Sequence, residues 1–230
     1  AWVTALPSSQ LGLKARDSEV RDAGGRRLGC KIVVPHTCIC GGHVNALGNH
    51  APSCHKVAGR RCRHTALNQL VQRALTKAGY PSVLEPKGLS RRDGKRPDGM
   101  TMVPWSSGKP LIWDVSVKNS LANSSLATAS QSTGTVAAAG EKLKWRNYQH
   151  LASEYHFIPI IFETLGCIGE EGKSFLNNLG AKLAIETGET QSKTFLLQAI
   201  SVAIQRGNST CLRQTHSEVE NDANDFLDNL

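Results

Sequence analysis

Lys95-Arg96-Pro97-Asp98-Gly99, with Leu111-Ile112-Trp113-Asp114-Val115-Ser116-Val117 after it, carries two carboxylates on what read as two consecutive short strands. Residues 100–105 and 111–117 are β-rich, and Ser106-Ser107-Gly108-Lys109-Pro110 between them is turn chemistry, so the pattern predicts a hairpin. Side chains alternate along a strand, which puts Asp114, Ser116 and Lys118 on one face and Trp113, Val115 and Val117 on the other. An aspartate flanked by apolar residues is costly to bury unless it is paired or bound to a cation. Asp98 alone, between proline and glycine, is ordinary turn chemistry. The pair, in strongly basic surroundings, points to a divalent metal held against a phosphodiester.

Those surroundings are uneven. The chain has 27 basic and 19 acidic residues. Five of the acids, Glu218, Glu220, Asp222, Asp225 and Asp228, lie in a tail without lysine or arginine, so the rest carries a net of +13. Between Lys56 and Arg96 eleven basic residues face only Glu85 and Asp93. The block lacks a bulky apolar face, which favours nucleic acid over membrane as the polyanionic partner. No apolar run is long enough to cross a bilayer and no secretory leader is visible, so a soluble protein is expected. The start at Ala1 suggests a piece of something longer.

Residues 63–79 have helical period, with Ala66, Leu67, Leu70, Val71, Ala74 and Leu75 on one face. Arg60, Arg61, Arg63 and His64 crowd the start of that helix, where cations oppose its dipole, and phosphate contact is their natural use. Arg91, Arg92, Lys95 and Arg96 extend the candidate nucleic-acid surface. A strand at 80–86 ends near Glu85, for which a structural role is the default against a further metal-side carboxylate.

Downstream, 121–135 reads as loop turning into helix, 136–152 as helix, 157–165 as a doubly buried strand, and 170–186 and 193–206 as amphipathic helices. The middle helix places Glu141, Lys144 and Tyr148 along one face. A lysine and a tyrosine one turn apart beside two carboxylates suit orienting water and screening charge on a phosphate. The expected fold class is α/β, a small mixed central sheet flanked by helices.

Upstream, Cys38-Ile39-Cys40-Gly41-Gly42-His43 and His50-Ala51-Pro52-Ser53-Cys54-His55 supply close-set sulfur and imidazole donors. Zinc prefers four such ligands, and Cys38, Cys40, His50 and Cys54 form the best set, with His43 and His55 as alternatives. The domain reading is a polar N-terminal segment at 1–29, whose Arg16, Arg21, Arg26 and Arg27 are read on a solvated helix face, a zinc knuckle at 30–58, a main domain at 59–210 and a disordered acidic tail at 211–230.

The order helix, strand, Arg96-Pro97-Asp98, Trp113-Asp114, helix with lysine and tyrosine, strand resembles the restriction-enzyme-like endonuclease of site-specific non-LTR retrotransposons, of the PD-(D/E)xK superfamily. There the domain follows the reverse transcriptase and a Cys-Cys-His-Cys knuckle, whose place Cys38, Cys40, His50 and Cys54 take here. Arg63-His64 resembles the Arg-His pair that opens the domain, though Thr65 follows where Asn or Asp is usual. The resemblance spans about residues 30 to 206. It implies a DNA endonuclease in which Asp98 and Asp114 hold Mg²⁺, Lys144 positions or activates water and Tyr148 assists. Cleavage would leave a 3′-hydroxyl that primes reverse transcription. It further implies structural Zn²⁺, DNA and element RNA as partners, the polymerase portion of the same polyprotein, and a nuclear setting. The lysine usual two positions after the second acid is Ser116, so Lys144 takes its role, with Lys142 and Lys118 as alternatives. Two competing readings are a zinc-containing nucleic-acid-binding remnant that does not cut and a zinc-stabilised interaction domain.

Overall fold

A computed structural model describes residues 2–90 and 94–216. Helix α1 (Asp17–Leu28) leads into a two-stranded ribbon, β1 (His36–Thr37) and β2 (His43–Val44), and then α2 (Gly59–Lys77). Strands β3 (Ser82–Leu84), β4 (Gly99–Ser106) and β5 (Lys109–Lys118) follow, then α3 (Asn123–Ala129) and α4 (Thr135–Tyr148), β6 (His156–Glu163), α5 (Glu170–Thr187) and α6 (Ser192–Arg213). The main sheet runs β3-β4-β5-β6, antiparallel until β6 joins β5 in parallel, with Asp114 opposite Pro159. The fold is mixed α/β with a small mixed sheet flanked by helices.

Alternation along β5 explains the layering. Leu111, Trp113 and Val115 point into a core built with Leu67, Val71 and Leu75 of α2, Phe175 and Leu179 of α5, and Ile200 and Ile204 of α6. Ile112 points the other way, against Tyr148 of α4 and Phe157 of β6. Asp114 shares that second face, which fixes its neighbours as those carried by α4.

Three expectations move. The last helix does not stop at Arg206 but continues to Arg213, and Cys211 and Leu212 are buried against Val44, Ala51, Cys54 and Val57 of the knuckle region. Residues 211–213 therefore belong to a packed helix rather than the tail, whose acids from Glu218 onward lie outside the described residues. Arg26 is buried at 6% exposure, its guanidinium donating to the Gly48 carbonyl. Around it α1 docks on α6 through Glu19–Arg206, 3.7 Å, and a hydrogen bond from Ser209 to Asp22. No described helix is long and apolar enough to cross a membrane.

Candidate active site and metal centre

Asp98 lies just before β4, locked on both sides of its peptide: its N–H donates to the Trp113 carbonyl at 2.9 Å and its carbonyl accepts the Glu85 N–H at 2.8 Å. Side-chain oxygen Oδ2 accepts the Val115 N–H at 2.6 Å and lies 3.0 Å from His64 Nε2. Among the described residues no donor reaches Oδ1. On the neighbouring strand Asp114 is 4% exposed. Lys144 of α4 places Nζ 2.5 Å from Asp114 Oδ1, and the Tyr148 hydroxyl also hydrogen-bonds this carboxylate. Helix α4 thus brings Lys144 and Tyr148 to the second acid together.

The electrostatics follow from this crowding. Burial, and then the charge of Asp98, push the Asp114 carboxyl up from its ordinary value, while Lys144 and Tyr148 pull it back. Burial would lower the His64 imidazole, but the hydrogen bond to Asp98 and the charges of Asp98 and Asp114 outweigh it and hold it above 6.5. The two carboxylates on adjacent strands repel one another, and Lys144 on Asp114 and His64 on Asp98 offset that repulsion.

Two supports escaped sequence reasoning. Asn68, one turn beyond His64 on α2, donates to the His64 carbonyl at 3.3 Å, and its Oδ1 accepts Trp113 Nε1–H at 2.9 Å. Its i, i+4 spacing from His64 was the available signal. Gly99 is not a turn glycine: its φ is not positive, and a Cβ there would stand 2.0 Å from Trp113 Cζ2. The residue after Asp98 is small because the tryptophan before Asp114 rests on it.

The basic residues divide. His55, Lys56, Arg60, Arg61, His64 and Lys118 line a groove of about 510 Å³ beside the carboxylates, and Arg63 borders it. Arg63, expected to contact phosphate, is 2% exposed; it donates to the Pro52 carbonyl at 3.1 Å and to Asn208, tying α2 to the knuckle and α6. Position 63 lies one turn before Ala66 and Leu67 on the buried stripe of the helix, which is why it turns inward. Arg96 pairs with Glu85 at the surface, which gives that glutamate the structural role. Lys95 is exposed, and Arg91 and Arg92 lie outside the described residues. Glu141 does not join Lys144 and Tyr148: its carboxylate accepts the N–H groups of Glu171 at 3.0 Å and Gly172 at 3.2 Å, capping α5.

Cys38, Cys40, His50 and Cys54 come together with their ligand atoms all within 4.8 Å of one another. The loop between β1 and β2 does this through a tight turn, in which Gly41 takes φ 84° and Cys38 N–H donates to Gly42 O at 2.8 Å. Cys38 and Cys54 sulfurs stand 3.6 Å apart and Cys40 Sγ lies 3.2 Å from His50 Nε2. Tetrahedral zinc with Zn–S bonds of about 2.3 Å needs sulfur–sulfur edges of roughly 3.7 Å, so this cluster can hold such a metal. Burial pushes the Cys38 thiol up to about 12, and the Gly42 N–H pulls the Cys40 thiol down. A cation drawing protons off these sulfurs reverses the first effect. His43 and His55 stay outside the cluster, and His55 lines the basic groove.

No protein-family model matches the sequence, and no curated protein matches it significantly.

Proposed function

We propose that the chain is a Mg²⁺-dependent DNA endonuclease with a restriction-endonuclease-like core and a zinc knuckle, of the kind carried at the C-terminus of non-LTR retrotransposon polyproteins. The observation that carries this reading is the convergence at β4 and β5: Asp98 and Asp114 on adjacent strands, with Lys144 at 2.5 Å and Tyr148 on the second acid. A divalent ion bound by the two carboxylates supplies Lewis-acid stabilisation of the phosphoryl oxygens and acidifies water.

The chain's own residues do the rest. Val115 N–H and His64 hold Asp98 through one oxygen, Oδ2. Lys144 orients the attacking water and offsets charge on the phosphate, and Tyr148 steadies Asp114. The basic groove holds the strand by its backbone. Water adds to phosphorus, the P–O3′ bond breaks, and O3′ takes up a proton, giving a 5′-phosphate and a 3′-hydroxyl. In such an element that hydroxyl primes reverse transcription of element RNA by the polymerase portion, at nuclear DNA.

One observation favours the alternative, a DNA-binding remnant that does not cut. Each acid already has a basic partner, His64 on Asp98 and Lys144 on Asp114, which holds the site without a divalent ion. Nicking of supercoiled plasmid by zinc-loaded protein with Mg²⁺, compared with Asp98→Ala and Asp114→Ala, separates the two. The nuclease reading expects nicking that either substitution abolishes while DNA affinity persists. Folded, DNA-binding wild type that leaves plasmid intact refutes it.

A further inference from the structure

Lys118 ends β5 on the face that carries Asp114, four residues further along. At about 3.3 Å per residue its backbone lies roughly 13 Å from that of Asp114, along the groove rather than at the carboxylates. Its ammonium is half-buried and makes no hydrogen bond or ion pair among the described residues. Burial and then the charge of Lys144 disfavour its protonated form; Asp114 pulls the other way, and Arg60 adds the smallest push. The side chain is nevertheless accommodated: Gly140 sits in the middle of α4, a poor place for glycine, and a Cβ there would stand 3.4 Å from Lys118 Cε and 3.0 Å from Ile161.

Arg60 faces the same groove from the start of α2. Both cations are rooted in the segment between zinc-ligand candidates His50 and Cys54. Arg60 donates to the Ser53 carbonyl at 3.2 Å. Asn119, next to Lys118, donates to the Asn49 carbonyl at 2.7 Å and approaches Ser53 Oγ at 3.3 Å. Two cations face one groove, Lys118 half-buried and Arg60 exposed, and the ligand that matches such a pair is an anion.

We infer that Lys118 and Arg60 form a second phosphate seat, which takes the phosphodiester next to the one at Asp98 and Asp114. This rests on the nuclease reading for what lies at the carboxylates, but its own ligand is the backbone of a nucleic-acid strand. Lys118 is then a positioning residue, and Lys144 remains the lysine of the chemistry.

The test is equilibrium binding of a fluorescein-labelled DNA duplex to the full zinc-loaded chain, without Mg²⁺, across a salt series. Lys118→Met and Arg60→Met each lower the slope of log K against log salt by about 0.9, the signature of one lost phosphate contact, and weaken binding roughly three- to tenfold at low salt. Lys118→Arg keeps the wild-type slope. Lys118→Gln replaces Lys118→Met if the latter folds poorly. Wild-type slopes in the Lys118 and Arg60 variants overturn the seat, as does a Lys118→Met protein that loses nicking at an unchanged slope. Loss of slope in a chain that never nicks leaves the seat standing and refutes the nuclease reading; nicking with unchanged slopes does the reverse.

Discussion

Gly99→Ala tests the packing beneath the first carboxylate. The methyl group would stand 2.0, 2.5 and 2.4 Å from Cζ2, Cε2 and Cη2 of Trp113, whose side chain is fully buried. Carbon atoms rest at about 3.5–4.0 Å, so the ring must shift by roughly 1.5 Å. Overpacking of this kind costs about 1–3 kcal/mol. A shifted indole also loses its hydrogen bond to Asn68, adding about 1 kcal/mol. Reduced freedom of the unfolded chain offsets up to about 1 kcal/mol, leaving a net loss of roughly 1–3 kcal/mol. In urea, with m of about 1–3 kcal/mol/M, the midpoint falls by about 1 M at unchanged m. Nicking falls too, because Asn68 braces His64 on Asp98. The methyl meets the six-membered ring of the indole, so Trp113→Phe in the Gly99→Ala background costs less than the two changes summed. A Gly99→Ala midpoint equal to wild type would refute the reasoning, and Gly99 would then be no more than a turn residue.

Arg63→Ala lowers stability by about 2–4 kcal/mol, because it opens a cavity and strands the Pro52 carbonyl, yet leaves the salt slope of DNA binding unchanged; a reduced slope would return Arg63 to the phosphate surface. Glu141→Ala costs about 1 kcal/mol through the start of α5, read by thermal melting, with nicking intact below the transition. Lys144→Met, three residues along the same helix, leaves buried Asp114 without its lysine and lowers stability by roughly 3 kcal/mol, and it loses at least about 100-fold in nicking rate below the transition. Chelation of zinc lowers Tm by more than about 5 °C and speeds amide exchange at Cys211 and Leu212, since both pack on the knuckle; unchanged exchange there would separate the two.

The hairpin and helices were legible because their apolar residues repeat at the right period. Residues 111–117 alternate cleanly, and β5 buries Trp113 and Val115 in one core while Asp114 faces α4. The same alternation brought Lys118 to the groove. The role of Gly99 was not legible, because Pro-Asp-Gly is locally identical whether it turns the chain or makes room for a ring, and only the tertiary partner, fourteen residues on, distinguishes them. Glu141 shows the same limit on a helix: three polar residues on one stripe meet two different neighbours, the N-terminus of α5 and the acid on β5.

The end of α6 was lost for a more general reason. Gln205-Arg206-Gly207-Asn208-Ser209-Thr210 looks like a solvated exit from a helix, yet all six residues are buried. Each polar group there has a specific partner: Gln205 and Asn208 donate to the Thr164 carbonyl, Arg206 reaches the Lys14 carbonyl and Glu19, and Ser209 meets Asp22. Hydropathy measures the cost of burying a polar group unpaired, and that cost falls sharply when every donor finds an acceptor. Arg63 and Arg26 border the same seam, one donating to Pro52 and Asn208 but leaving its Nε without a partner among the described residues, the other donating to Gly48. The seam runs from α1 through α6 to the segment holding His50 and Cys54. The knuckle is therefore not a bead beside the α/β core but is packed into it, so the metal-ligand cluster and the groove that Arg60 lines share one packed framework.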